Sequence, residues 1–149
     1  MPSPLHRTRS IVLFYGTLLL FAGLLTGLPF AMSIRYEWGD DVVRAWRVAH
    51  TSMVTGGLLY LGIAGTLDGY ALSPRTLKTL QRSLIVAAIA LLVVLPVGAM
   101  TGERGLRLGD SVIGTLVALG FLVMGAAVFH AVGLLVVGAY RALREPREG

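Results

Sequence analysis

The sequence contains no cysteine. That removes disulfides, thiolate metal sites, iron–sulfur clusters, a cysteine nucleophile and covalent c-type haem attachment. Charge is scarce as well, since only 14% of the 149 residues are Asp, Glu, Lys or Arg. Only three histidines are present. There is no HExxH motif, no pair of histidines on one helix and no carboxylate cluster inside an apolar run, so no metal centre built from side chains alone can be read. What the chain has in abundance is apolar surface. Hydrophobic residues make up 55% of it and the mean hydropathy is +0.75. Apolar runs of about 20 residues match the length that crosses a bilayer. The expectation is an integral membrane protein, and 149 residues suit a single domain covering residues 1–149.

Four spans are expected, at about 11–32, 42–72, 83–100 and 111–140, joined by short polar connections at 33–41, 73–82 and 101–110. Short connections imply antiparallel neighbours, so the expected fold is all-α, an up-down four-helix bundle in the membrane. The opening MPSPLHRTRS is basic and precedes an apolar run. That run outlasts a signal-peptide h-region and is read as the first membrane helix.

The net charge of +5 could suggest nucleic acid, but the basic residues flank hydrophobic segments. They read as topological charge beside lipid headgroups, with no nucleic-acid partner. Eight Lys and Arg lie at one end: Arg7, Arg9, Arg75, Lys78, Arg82, Arg141, Arg144 and Arg147. The other end has five, Arg35, Arg44, Arg47, Arg104 and Arg107, matched by five acids. The positive-inside bias then puts both termini in the cytoplasm, in a multi-pass protein of the inner (cytoplasmic) membrane. Tyr36, Trp38 and Trp46 are expected at the outer interface. Asp68, near the inner end of span two, reads as an interfacial charge that could pair with Arg75 or Lys78.

An ionisable group within a membrane is costly and is a functional hypothesis by default. His6 precedes span one and reads as solvated. His50 lies about two turns into span two, in RAWRVAHTSMVTGG, and His130 lies in span four. At 1.5 Å per residue, His50 is about 10 Å and His130 about 30 Å below the start of its helix, so one iron shared within a protomer is not expected. A single imidazole is enough for haem. Gly56 and Gly57 would admit a flat macrocycle, Met53, Val54 and Leu61 share the helical face of His50, and Arg44, Arg47 and Arg104 could pair with propionates. The plain alternative is a helix-end imidazole hydrogen-bonded to a loop or to water. Pro29 and Pro96 lie near the outer ends of spans one and three, where kinks would widen the bundle at the depth of His50.

Trp46-x-x-Ala49-His50, with Arg47 between them, Ser52 beyond and Gly57 seven residues on, resembles the second-span motif of styrene oxide isomerases. Arg104-Gly105-Leu106, Gly109-Asp110, Gly138-x-Tyr140 and Leu143 extend the likeness over nearly the whole chain, with no gap between His50 and Arg104. The resemblance implies a homotrimer with ferric haem b between protomers. His50 is the implied iron ligand, with Arg47, Arg44, Arg104 and Gly57 around the cofactor. It also implies a small hydrophobic epoxide, polarised by the iron as a Lewis acid and converted to a carbonyl compound.

The sequence departs from the family's pattern at three polar positions. The Asn expected six residues after the histidine is Gly56. The Tyr and Asp expected in span three fall at about Leu95 and Ala87. No catalytic residue beyond the iron ligand is therefore assigned. Replacements could come from Thr51, Ser52, Thr55 or Tyr60, or from a neighbouring protomer, although Thr55 reads first as bonding its own helix. An isomerase with altered pocket chemistry is one expectation. A haem protein for electron transfer, sensing or haem handling, with Met53 or a residue of another protomer as second axial ligand, is another. A subunit in which His50 and the glycines only pack is the third.

Overall fold

Ser3 and Ser73 are each followed by proline, and each starts a helix. Their hydroxyls accept from the amides of His6 and Thr76, while Pro4 and Pro74 occupy the first helical position, where a missing N–H costs nothing. The computed structural model describes residues 3–103 and 111–144. It comprises α1 (Pro4–Arg35), α2 (Asp40–Thr66), α3 (Pro74–Thr101) and α4 (Val112–Arg144), with a 3-10 turn at Leu67–Gly69 after α2. Among the described residues there is no strand.

The expected connection at 73–82 is thus mostly helix. Arg75, Lys78 and Arg82 belong to the first turns of α3, which project past its apolar length because the Ser-Pro cap starts the helix early. Span two, expected to reach residue 72, ends its α-helix at Thr66. Pro29 and Pro96 lie inside continuous helices. Gly102 ends α3 at φ 73°, a left-handed conformation that glycine adopts without a Cβ clash.

Three helices, α1, α3 and α4, are long and apolar enough to cross a membrane. The fourth, α2, is shorter in apolar content because His50, Thr51, Ser52 and Thr55 interrupt it. It nonetheless runs antiparallel beside α1 for its length. Arg9 meets Asp68 at the end that carries the termini, and His50 stacks on Phe30 toward the opposite end, where the α1–α2 connection lies. Asp68 takes Arg9 at 3.1 Å as its partner, in place of the expected Arg75 or Lys78, because the antiparallel pairing brings the start of α1 to the end of α2.

α1 packs chiefly on α2, and α4 chiefly on α3. Two core clusters result. Toward the termini, Val12, Leu19, Tyr60, Leu80, Leu84 and Leu135 fill the space between helices. Toward the other end, Trp46, Ala49, Met53, Leu95 and Ala99 do so. Trp46, expected at the lipid interface, is only 7% exposed, because its face of α2 points at α3. Tyr36 and Trp38 are exposed.

The buried Tyr60 hydroxyl donates to the Leu84 carbonyl, tying α2 to α3. That carbonyl lies within α3, so Tyr60→Phe strands no acceptor. The expected loss is about 0.6 kcal/mol, the usual scale for a hydrogen bond between membrane helices, measured as the shift in reversible unfolding in mixed detergent.

Candidate functional site

The site begins with three glycines on α1. Gly16, Gly23 and Gly27 are spaced seven and four apart, which puts them on one helical face. A Cβ at Gly16 would lie 2.9 Å from Cβ of Tyr60, and one at Gly23 would lie 2.9 Å from the backbone nitrogen of Val54. Across from them, a Cβ at Gly57 would lie 2.8 Å from the Gly16 carbonyl oxygen and 2.8 Å from the Leu20 nitrogen. The two backbones approach as closely as small residues allow, which is how helices associate in lipid.

This approach delivers α1 to His50. The imidazole Nδ1 lies 2.7 Å from the Gly23 carbonyl oxygen. A carbonyl only accepts, so Nδ1 carries the proton and donates, and in the neutral ring Nε2 keeps its lone pair. The ring stacks on Phe30, with centroids 6.0 Å apart and planes 22° apart. Gly27 leaves the space the ring occupies, since a Cβ there would lie 3.1 Å from Nδ1 and 3.2 Å from Cε1. The Thr26 hydroxyl donates to the same Gly23 carbonyl at 2.8 Å. His50 is half-buried and fixed in tautomer and orientation by α1, and Nε2 has no hydrogen-bond partner among the described residues.

The face of α2 below His50 is closed. Gly57 meets Gly16 and Leu20, Val54 meets Gly23, Leu61 lies against Gly16, and Met53 is fully buried in the core. Gly57 is therefore a point of close approach between α1 and α2. Gly56 faces Leu91 of α3. Arg47 is exposed three residues before His50, on the same side of α2 and one turn nearer the connection. Arg44 sits on another face, at the rim of a cavity between α2, α3 and α4 that His50 does not line. Arg104, Gly105, Leu106, Gly109 and Asp110 lie outside the described residues. Leu95 and Ala87, at two of the departing positions, are buried and apolar.

His130 is not brought to His50. Its Nδ1 lies 2.9 Å from the Ser83 hydroxyl of α3, whereas His50 is held by α1. Among the described residues no group of three or more His, Cys, Asp or Glu could hold a metal ion. That donor set does not suit a bare ion. It does suit a macrocycle that brings four nitrogens of its own and needs one imidazole.

Gly23, Gly27, Thr26 and Phe30 were not singled out by sequence. The available signal was the seven-and-four spacing of Gly16, Gly23 and Gly27 in an otherwise Leu-rich helix.

A model of the styrene oxide isomerase family matches residues 8–140, which includes all of α2 and α3 and nearly all of α1. Searches among curated proteins and among solved structures returned no match.

Proposed function

The chain belongs to the styrene oxide isomerase family, and from that premise we propose that it binds haem b through Nε2 of His50 and isomerises a small hydrophobic epoxide to a carbonyl compound. The observation that carries the reading is the Nδ1–H···O=C hydrogen bond from His50 to Gly23. A metal-ligating histidine commonly gives its other ring N–H to a backbone carbonyl, which fixes the tautomer and raises the basicity of the ligating nitrogen.

Ferric haem on that nitrogen supplies a Lewis acid for the epoxide oxygen, with no change in iron oxidation state. The chain's own residues hold and shape the site. Phe30 and Gly27 fix the ring plane, and Arg47, on the His50 side of α2, is placed to pair with a carboxylate of the cofactor. With Gly56, Leu95 and Ala87 at the departing positions, polar side chains do not orient the substrate there. The apolar walls do so by shape, and this predicts looser control of the migrating group. Because α1 closes the face below His50, the cofactor belongs at the surface of the protomer. That position accords with a homotrimer sharing haem between neighbours, as the family likeness implies. The excess of Lys and Arg at the end carrying the termini supports a cytoplasmic position for both, in the inner membrane.

The same apolar replacements favour one other reading, a haem protein for electron transfer, sensing or haem handling. Turnover separates the two. Haem-loaded protein in detergent, given a hydrophobic epoxide and no reductant, is expected to form the carbonyl isomer, read by gas chromatography. A protein with a full Soret band and no product above the haem-only control would leave the second reading standing.

A further inference from the structure

The end of the bundle that carries the termini holds a cleft with charge of one sign. It lies between the first turns of α1 and α3 and has a volume of about 450 Å³. Arg7 and Thr8 line it from α1, and Lys78, Gln81 and Arg82 line it from α3. No acid lines it. Asp68 is the one acid at this end among the described residues, and Arg9 holds it. Arg9 is two residues beyond Arg7 and so about 200° round the helix, on another side of α1. Among the described residues, Arg7, Lys78 and Arg82 therefore have no ion-pair partner. Like charges gathered in one cleft repel one another, and a bound anion removes that cost.

The cleft is built as well as charged. Thr8 is only 2% exposed, and its hydroxyl donates to Oε1 of Gln81 at 3.3 Å. That bond occupies the amide oxygen and leaves the two N–H donors of Gln81 without a partner among the described residues. α1 and α3 both begin here, with Pro4 and Pro74 on the rim, so the positive ends of two helix dipoles add to the same field. The depth is set by the apolar runs. Ile11 opens the run of α1 three residues after Thr8, and the run of α3 opens just after Arg82. Helices that cross a bilayer on those runs hold the cleft among the headgroups. Basic pockets between membrane helices at that level suit lipid phosphates.

We propose that this cleft binds the phosphate of an anionic phospholipid, with Arg7, Lys78 and Arg82 as charge partners and Gln81 as an amide donor, while the acyl chains stay in the bilayer. A zwitterionic lipid carries the same phosphate, but its ammonium would meet three cations and no carboxylate. The cleft thus discriminates by net charge. It is at the opposite end of the bundle from His50 and works without haem.

The test uses the full chain in a neutral detergent, titrated with phosphatidylglycerol or with phosphatidylethanolamine of the same acyl chains and read by native mass spectrometry. The first phosphatidylglycerol is expected to bind at least about tenfold more tightly than the first phosphatidylethanolamine. Lys78→Gln with Arg82→Gln should weaken phosphatidylglycerol about 10- to 30-fold and leave phosphatidylethanolamine nearly unchanged. Arg141→Gln with Arg144→Gln removes the same charge from the same end, away from the cleft, and should bind as wild type. All four side chains are exposed, so neither pair of changes disturbs the packing. Millimolar inorganic phosphate should not displace the lipid. Equal affinity for the two lipids, or equal losses in the two double variants, would reduce the cluster to unspecific surface charge and overturn the proposal. Displacement by inorganic phosphate would assign the cleft to a soluble anion and overturn the lipid as its occupant.

Discussion

Replacement of His50 by alanine is expected to cut the Soret absorbance of purified, haem-replete protein to below about a tenth of wild type, while the protein remains folded. The loss should be near complete because the other imidazoles are not placed to substitute. His6 lies exposed in the first turn of α1 beside Ser10, and His130 is held by Ser83 on the far pair of helices. Folding should survive because the ring is only half-buried and the Gly23 carbonyl keeps its bond from the Thr26 hydroxyl, so no acceptor is orphaned. The expected stability cost is about 1 kcal/mol, the net scale of one hydrogen bond. Added imidazole should restore much of the band by filling the vacated position. A Soret band that persists in the variant would place the iron ligand elsewhere. A wild-type protein that takes up no haem would leave His50 as a packing residue and the family likeness as one of fold.

The helices were legible in the sequence because a bilayer demands long apolar runs and tolerates little else. Their starts were less so, and for a local reason: hydropathy tracks the lipid-exposed length, whereas Ser3-Pro4 and Ser73-Pro74 set the helix ends by capping, one or more turns earlier. His50 stood out because a lone imidazole in an apolar helix is conspicuous. Its surroundings did not, because they depend on which face of α2 meets α1. Trp46 shows the difficulty. By composition it belongs at a headgroup interface, and by packing it is in the core. The choice between these was made by long-range fit, the glycines of α1 admitting the backbone of α2 and turning Trp46 inward. Arg44 and Arg47, read as a pair, are divided by the same rotation, one to the His50 side and one to the cavity rim. The spacing in sequence was known, but the direction of the neighbouring helix was not.

That division between packing and cradle yields the second large effect, a contrast between two glycines. At Gly57 an added Cβ would lie 2.6 Å from Cγ of Leu20 and 2.8 Å from two backbone atoms of α1. Backbone cannot swing aside, so α1 and α2 must separate. Gly57→Ala is expected to cost about 1–3 kcal/mol in reversible unfolding, and Gly57→Leu to prevent accumulation of folded protein. At Gly27 the added Cβ meets only the imidazole of His50. Gly27→Ala should therefore fold at least as well as wild type, since alanine favours the helix by about 1 kcal/mol over glycine. The cost falls instead on the ring, which must tilt from the Gly23 carbonyl. Haem affinity is expected to fall about 10- to 100-fold, the usual loss when the partner of a ligating histidine is disturbed. The electron paramagnetic resonance spectrum of the remaining ferric haem should shift with it. If Gly57→Ala spared stability and lost only haem, Gly57 would line the cofactor, as its place in the sequence motif suggests, and the close approach of α1 would be at fault. If Gly27→Ala changed neither affinity nor spectrum, α1 would not position His50, and the tautomer argument for Nε2 as the iron ligand would lose its footing.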